Sequence, residues 1–149
     1  MKNIDKVVIP MLKTGYCAPK IAGLAKATGE PAATIHYNIK RMEKGGLIKG
    51  YKAVFDYSKI DEGVCAYILI NLSYDEDVNH EQVSKKLSSM PQVESVDIIS
   101  GEWDALIKVR AKNLDEFYEF ESSVLNNKGV SKVMSMISLK QMKTEFMLQ

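Results

Sequence analysis

Apolar residues at Ile4, Val7, Val8, Met11 and Leu12 fall at i, i+3, i+4, i+7 and i+8, the spacing of one helical face. Pro10 interrupts that run. Its missing N–H and its ring predict a kink there or a later start, and Gly15 predicts the end. Pro19 suits the first turn of a second helix with Ile21, Leu24, Ala25 and Thr28 inward. Gly29-Glu30-Pro31 is a tight break. Pro31 opens a third helix that runs to about Lys44, with Ile35, Ile39 and Met42 inward and Gly45-Gly46 as the stop. Leu47 to Phe55 then alternates as a small hairpin carrying Lys49 and Lys52.

Beyond residue 60 the apolar period switches between 2 and 3.6. Strands are predicted over 64–73, 93–100, 104–111 and 130–139, and helices over 81–89 and 114–125. The last helix shows Leu114, Phe117, Phe120, Val124 and Leu125 on its apolar side, and Gly101-Glu102-Trp103 turns the middle strands. The order β-α-β-β-α-β makes an α+β sandwich, an antiparallel sheet with both helices on one face.

Two of these strands are apolar on both sides. Val64, Ala66, Ile68, Ile70 and Leu72 point one way and Cys65, Tyr67 and Leu69 the other. In the last strand Val133, Ile137 and Leu139 oppose Met134 and Met136. Two helices cover one face, so the other needs a partner. A second copy in a two-fold dimer is the economical cover. The competing cover is the chain's own Phe146, Met147 and Leu148 folding back.

Two short helices joined by a Gly-containing turn are the helix-turn-helix unit, whose second helix enters the DNA major groove. The outward residues of that helix are Ala32, Ala33, His36, Tyr37, Asn38, Lys40, Arg41 and Lys44, joined by Thr34 and by Lys49 of the hairpin. Ala and Thr methyls can touch thymine methyls, Asn can pair with adenine, and Lys or Arg can reach guanine or phosphate. The cations near the helix end suit phosphate clamping more than base reading. One such helix reads only a few base pairs. Two, tied by a dimeric domain, combine their energies on half-sites about one turn or a multiple apart.

Charge sharpens this picture. Residues 1–59 hold 11 Lys/Arg against 4 Asp/Glu, and residues 60–149 hold 9 against 15, so +7 and −6 hide inside a net +1. Only the first block suits a polyanion. The 149 residues suffice for one ordinary domain or two small ones, and 46% hydrophobic with 26% charged residues is the range of a folded soluble protein. No apolar run is long enough to cross a bilayer, and Met1 to Asp5 carry no signal-peptide pattern, which suits a cytoplasmic chain. Cys17 and Cys65 read as two reduced thiols rather than a pair.

Catalytic chemistry finds no constellation. Ser-His-Asp sets, Gly-rich phosphate loops and zinc-spaced cysteines are absent, so no catalytic residue, metal ligand or cofactor is assigned. His36 lacks a second ligand at metal spacing, and His80 reads as a solvated helix start. Asp75-Glu76-Asp77 reads as a solvated acidic run. Asp97, Glu102 and Asp104 lie near one turn, but no local His or Lys supports acid–base work. The third strand lacks the stacking aromatics of sheet-based RNA readers.

From Ile4 to Lys143 the chain resembles the Lrp/AsnC family, the feast/famine regulators. The stretches that carry the likeness are ATGEPAATIHYNIKRMEKGGLIKGYKAVFD (27–56) and VESVDIISGEWDALIKVRAKNLDEFYEF (93–120). The first resembles the family's recognition helix with its glycine and hairpin. The second resembles the effector-domain core with its Gly-x-x-Asp turn, here Gly101 and Asp104. The likeness implies a prokaryotic transcription regulator. It would have a helix-turn-helix, winged-helix-like N-terminal domain and a ferredoxin-like βαββαβ C-terminal domain of the RAM type. The latter would pair into homodimers that often assemble into tetramers or octamers. It further implies a small effector, commonly an amino acid, beside Gly101, Glu102, Trp103 and Asp104, with Ser135 and Met136 contributed by the last strand. Backbone N–H groups at the turn suit a carboxylate, Asp104 suits an ammonium, and Trp103 suits either the ligand or interface packing. The chain departs from the family at Pro31, Ala32 and Ala33, where Ser/Thr is usual, and at Asn38, where Arg is common. A side-chain cap and some phosphate contacts go with them. Met134 and Met136 are bulkier than the family's small polar residues, so a ligand-free regulator is the alternative.

The expected organisation is a DNA-binding domain over 1–50, a hairpin linker over 51–60 and an effector and dimerisation domain over 61–149. The expected partners are double-stranded DNA, a second copy and a small effector, with no membrane and a place on the nucleoid. Two rival readings remain: a chromatin-like protein with little sequence preference, and a small-molecule-binding βαββαβ oligomer with no DNA role.

Overall fold

In the computed structural model, which describes residues 4–74 and 79–142, the first helix α1 spans Asp5–Lys13 with Pro10 inside it. The helix does not wait for the proline. The N–H groups of Val7 and Val8 already donate to the Ile4 carbonyl, and the Thr14 N–H and hydroxyl close the far end on Pro10 and Met11. Helix α2 spans Ile21–Thr28, starting two residues past Pro19, which lies outside it. Gly29 ends it in the left-handed region at φ 76°, its N–H on the Ala25 carbonyl. Helix α3 spans Ala32–Lys44, with Pro31 at the N-cap and no side-chain cap bond. It packs on α2, and Ile39 is the one fully buried residue among those described in this half.

The hairpin expected over Leu47–Phe55 does not form. Its backbone groups are used elsewhere: Leu47 and Ile48 donate back to the Met42 carbonyl and Ala53 donates to Leu12. Arms of three and five residues about Gly50 would be marginal alone. Side chains still alternate there, with Tyr51, Ala53 and Phe55 half-buried and Lys52 and Val54 exposed.

The chain divides into two compact units, residues 1–54 and 55–149. The second begins with a 3₁₀ turn, Tyr57–Lys59, followed by β1 (Val64–Leu72), α4 (His80–Ser88), β2 (Val93–Ile98), β3 (Ala105–Ala111), α5 (Leu114–Leu125) and β4 (Val130–Ile137). The sheet order is β2-β3-β1-β4, every pairing antiparallel. Asn79 and Asn113 cap α4 and α5 by accepting from Gln82 and Glu116.

Register decides which face each side chain serves. Ile68 sits between Ile107 and Ser135, and Ala66 between Val109 and Ile137. Ala66, Ile68, Ile107 and Val109, with Ile70, Leu72, Ala105, Ala111, Val83, Leu87, Phe117, Phe120 and Val124, form one core between sheet and helices. Leu114 and Leu125, expected on the apolar side of α5, are exposed instead. They flank a stripe already filled by Phe117, Phe120 and Val124 at i, i+3 and i+7. The other sheet face carries Tyr67, Leu69, Leu106, Met134 and Met136 in mutual register, all partly or fully exposed. The covering segment Phe146–Leu148 and the acidic run Asp75–Asp77 lie outside the described residues.

Candidate functional site

Two regions carry candidate residues, one in each unit. On α3, Ala32, Ala33, Thr34, His36, Tyr37, Lys40, Arg41 and Lys44 are exposed, as is Lys49 beyond it. Asn38 is half-buried, and its amide donates to the Thr34 carbonyl at 2.9 Å, which commits one donor to the helix backbone. Lys40 lies 2.7 Å from Glu43, whose other oxygen accepts from the Tyr51 hydroxyl at 3.1 Å. The hydrogen bond to Lys40 holds the Glu43 carboxyl below its ordinary range. Such an exposed pair is weak, and a phosphate can displace it. Arg41 and Lys44 fall in the last turn, where cations also suit the helix dipole.

The second region is the loop between β2 and β3. Gly101 adopts φ +124°, a conformation that side chains rarely take. Among the described residues the backbone N–H groups of Gly101, Glu102 and Trp103 meet no backbone acceptor. Asp104 closes the loop: its N–H donates to Ile70, its carbonyl accepts from Ile99, and its carboxylate accepts from Leu72 N–H at 2.8 Å and the Tyr74 hydroxyl at 3.0 Å. Both carboxylate oxygens therefore serve the fold. The expected role of Asp104 as an ammonium acceptor would have to compete with these bonds.

Sequence reasoning missed Lys132. Its ammonium stands 4.6 Å over the Trp103 ring and 3.8 Å from Glu102. It also missed Asn71, paired with Lys132 in the β1–β4 ladder, whose buried Oδ1 has no hydrogen-bond partner among the described residues. The available signal was parity. Asn71 is a polar break on the face of Tyr67 and Leu69, and Lys132 shares the face of Met134. Ser135 and Met136 point to opposite faces. Met136 lies on the open face, while Ser135 pairs with Ile68 and buries a hydroxyl that has no hydrogen-bond partner among the described residues.

His80 does start α4, but it is half-buried rather than solvated, with Nε2 2.9 Å from the Ser73 carbonyl and its ring edge-on to Tyr74. Cys17 and Cys65 are both free. Among the described residues no cluster of three or more His, Cys, Asp or Glu could hold a metal, and no helix is long and apolar enough to cross a membrane.

Residues 65–148 match the family model described as the Lrp/AsnC ligand binding domain. An uncharacterized HTH-type transcriptional regulator of Pyrococcus furiosus is 34% identical over 146 residues, 97% of each chain. An AsnC family transcriptional regulator of Agrobacterium tumefaciens superposes with a TM-score of 0.76 at 22% identity, over 100% of this chain and 97% of that one. A transcriptional regulator of Neisseria meningitidis, solved as a complex with L-methionine, superposes with a TM-score of 0.72 at 20% identity, over 97% and 93% of the two chains.

Proposed function

Because the chain belongs to the Lrp/AsnC family of helix-turn-helix transcription regulators, we propose that it binds double-stranded DNA as a homodimer through α3 and that a small amino-acid-like effector tunes this binding at residues 101–104. Its relatives are transcriptional regulators and not enzymes, and the chain is a regulator likewise. The observation that carries the dimer is the open sheet face. Tyr67, Leu69, Leu106, Met134 and Met136 form a contiguous apolar surface that a second copy would bury. Pairing brings two copies of α3 to one DNA, and further assembly to tetramers or octamers extends the same logic.

The exposed cations of α3 supply phosphate contacts, and Ala32, Ala33, Thr34, His36, Tyr37 and Asn38 supply the base-facing surface. At the effector turn, the N–H groups of 101–103 and the Lys132 ammonium suit a carboxylate. The unpartnered Asn71 oxygen suits an ammonium better than the occupied Asp104 does. A regulator of this kind works in the cytoplasm, on the nucleoid.

Selection of bound fragments from a random DNA pool, with and without an amino-acid mixture, tests this reading, alongside sedimentation of the wild type and Leu69→Lys. A defined motif, an effector-dependent shift and a monomeric Leu69→Lys are expected. Equal capture of all sequences, or a wild type that sediments as a monomer at micromolar concentration, would overturn it.

A further inference from the structure

Outside the two candidate regions, Arg110 is 6% exposed and is held by three side chains. Its Nε donates to Glu94 at 3.1 Å, and its terminal nitrogen donates to the Gln141 side-chain oxygen at 2.8 Å. Its guanidinium lies 4.0 Å from the centre of the Tyr57 ring. Lys108 meets the other Glu94 oxygen at 3.0 Å. One cation thus fastens the 3₁₀ turn after residue 54, the start of β2, and the segment following β4 to strand β3. Burial first, then the charge and hydrogen bond of Glu94, push the Tyr57 hydroxyl up to about 12, so the ring stays neutral throughout the physiological range.

We infer that Arg110 is a positioning residue for DNA binding: by clamping Tyr57 to the sheet it keeps the tether to the DNA-reading unit short, and so sets which half-site spacings a dimer accepts. This rests on the reading above that α3 reads DNA and that the chain pairs. With Tyr57 clamped, only residues 55–56 lie between the first unit and the anchor, a reach of about 7 Å. With the clamp released, residues 55–63 lead to β1, a reach of about 30 Å. Successive half-sites stand about 34–36 Å apart. Two clamped tethers together cover less than half that distance, whereas two loose ones exceed it and blur the spacing. A longer tether also dilutes the second reader near its site.

The test uses full-length wild type, Arg110→Met and Tyr57→Leu, the last leaving the Arg110–Glu94 pair intact should Arg110→Met fail to fold. Backbone hydrogen exchange is followed over residues 55–62. Affinity is measured for a single half-site taken from the random-pool selection, and for paired half-sites whose separation is stepped by one base pair. Both variants should exchange faster over 55–62 and bind the single half-site as wild type does. Their preference for the best spacing over the worst should fall about tenfold. Unchanged exchange, or faster exchange with the spacing preference intact, would overturn the inference. A wild type with no affinity for DNA would overturn the functional reading instead, and the exchange data would still decide whether Arg110 clamps the tether.

Discussion

The Asp104 carboxylate accepts the Leu72 backbone N–H at 2.8 Å, thirty-two residues away and beside the register shift between Asn71 and Leu72. On the β3 side the regular ladder ends at Ile70 and Ala105, and the Asp104 side chain supplies the acceptor for the next inward-facing N–H of β1. The turn that resembles the family's effector loop is therefore pinned to the end of β1 and to Tyr74 by its own aspartate. Asp104→Ala leaves the part-buried Leu72 donor unsatisfied. A loss of about 1–3 kcal/mol in urea-unfolding stability is expected. Asp104→Asn keeps one acceptor oxygen and should recover part of the loss.

The α3 cations make a prediction about salt. Lys40→Ala with Arg41→Ala should flatten the slope of log affinity against log salt by about 0.9 for each phosphate that is no longer neutralised. Fluorescence anisotropy on one duplex between low and physiological salt measures it. An unchanged slope would move the DNA surface away from α3.

Glu94 couples the Arg110 clamp to pH. Burial opposes its ionisation, but the bonds and charges of Lys108 and Arg110 win and hold it below its ordinary value of 4.5. A carboxyl depressed on folding contributes stability that is complete above 4.5 and lost as pH falls through its lower folded value. Lys108 is raised above 10.5 by Glu94 against its own burial, so its share is complete below 10.5 and lost above. Thermal unfolding should therefore show this contribution between pH 4.5 and 10.5. Glu94→Gln should lose it across that window and show a shallower acid limb.

Phe120 is 5% exposed in the core between α5 and the sheet. Phe120→Ala should cost about 3–5 kcal/mol, read from the urea midpoint. Leu125→Ala, at 52% exposure on the same helix, should cost far less. Equal losses would mean that α5 is rotated from the orientation described.

The sequence alone sufficed for the order of the helices and the four sheet strands, the end of α2 at Gly29, the inward stripe of α3 and the Phe117, Phe120 and Val124 part of that of α5, since these follow from side-chain period and backbone sterics within a few residues. The two-sided apolar character of β1 and β4 was legible for the same reason, strand parity being local. Tertiary structure decided what depends on partners distant in the chain. It gave the backbone of 47–55 other acceptors than a hairpin, committed Asp104 to Leu72, and brought Lys132 over Trp103. It also gathered Tyr57, Glu94 and Gln141 around Arg110. No periodicity announces such meetings. They arise only when strand register and loop closure bring separated residues within hydrogen-bond reach, where burial makes each unpaired polar group costly.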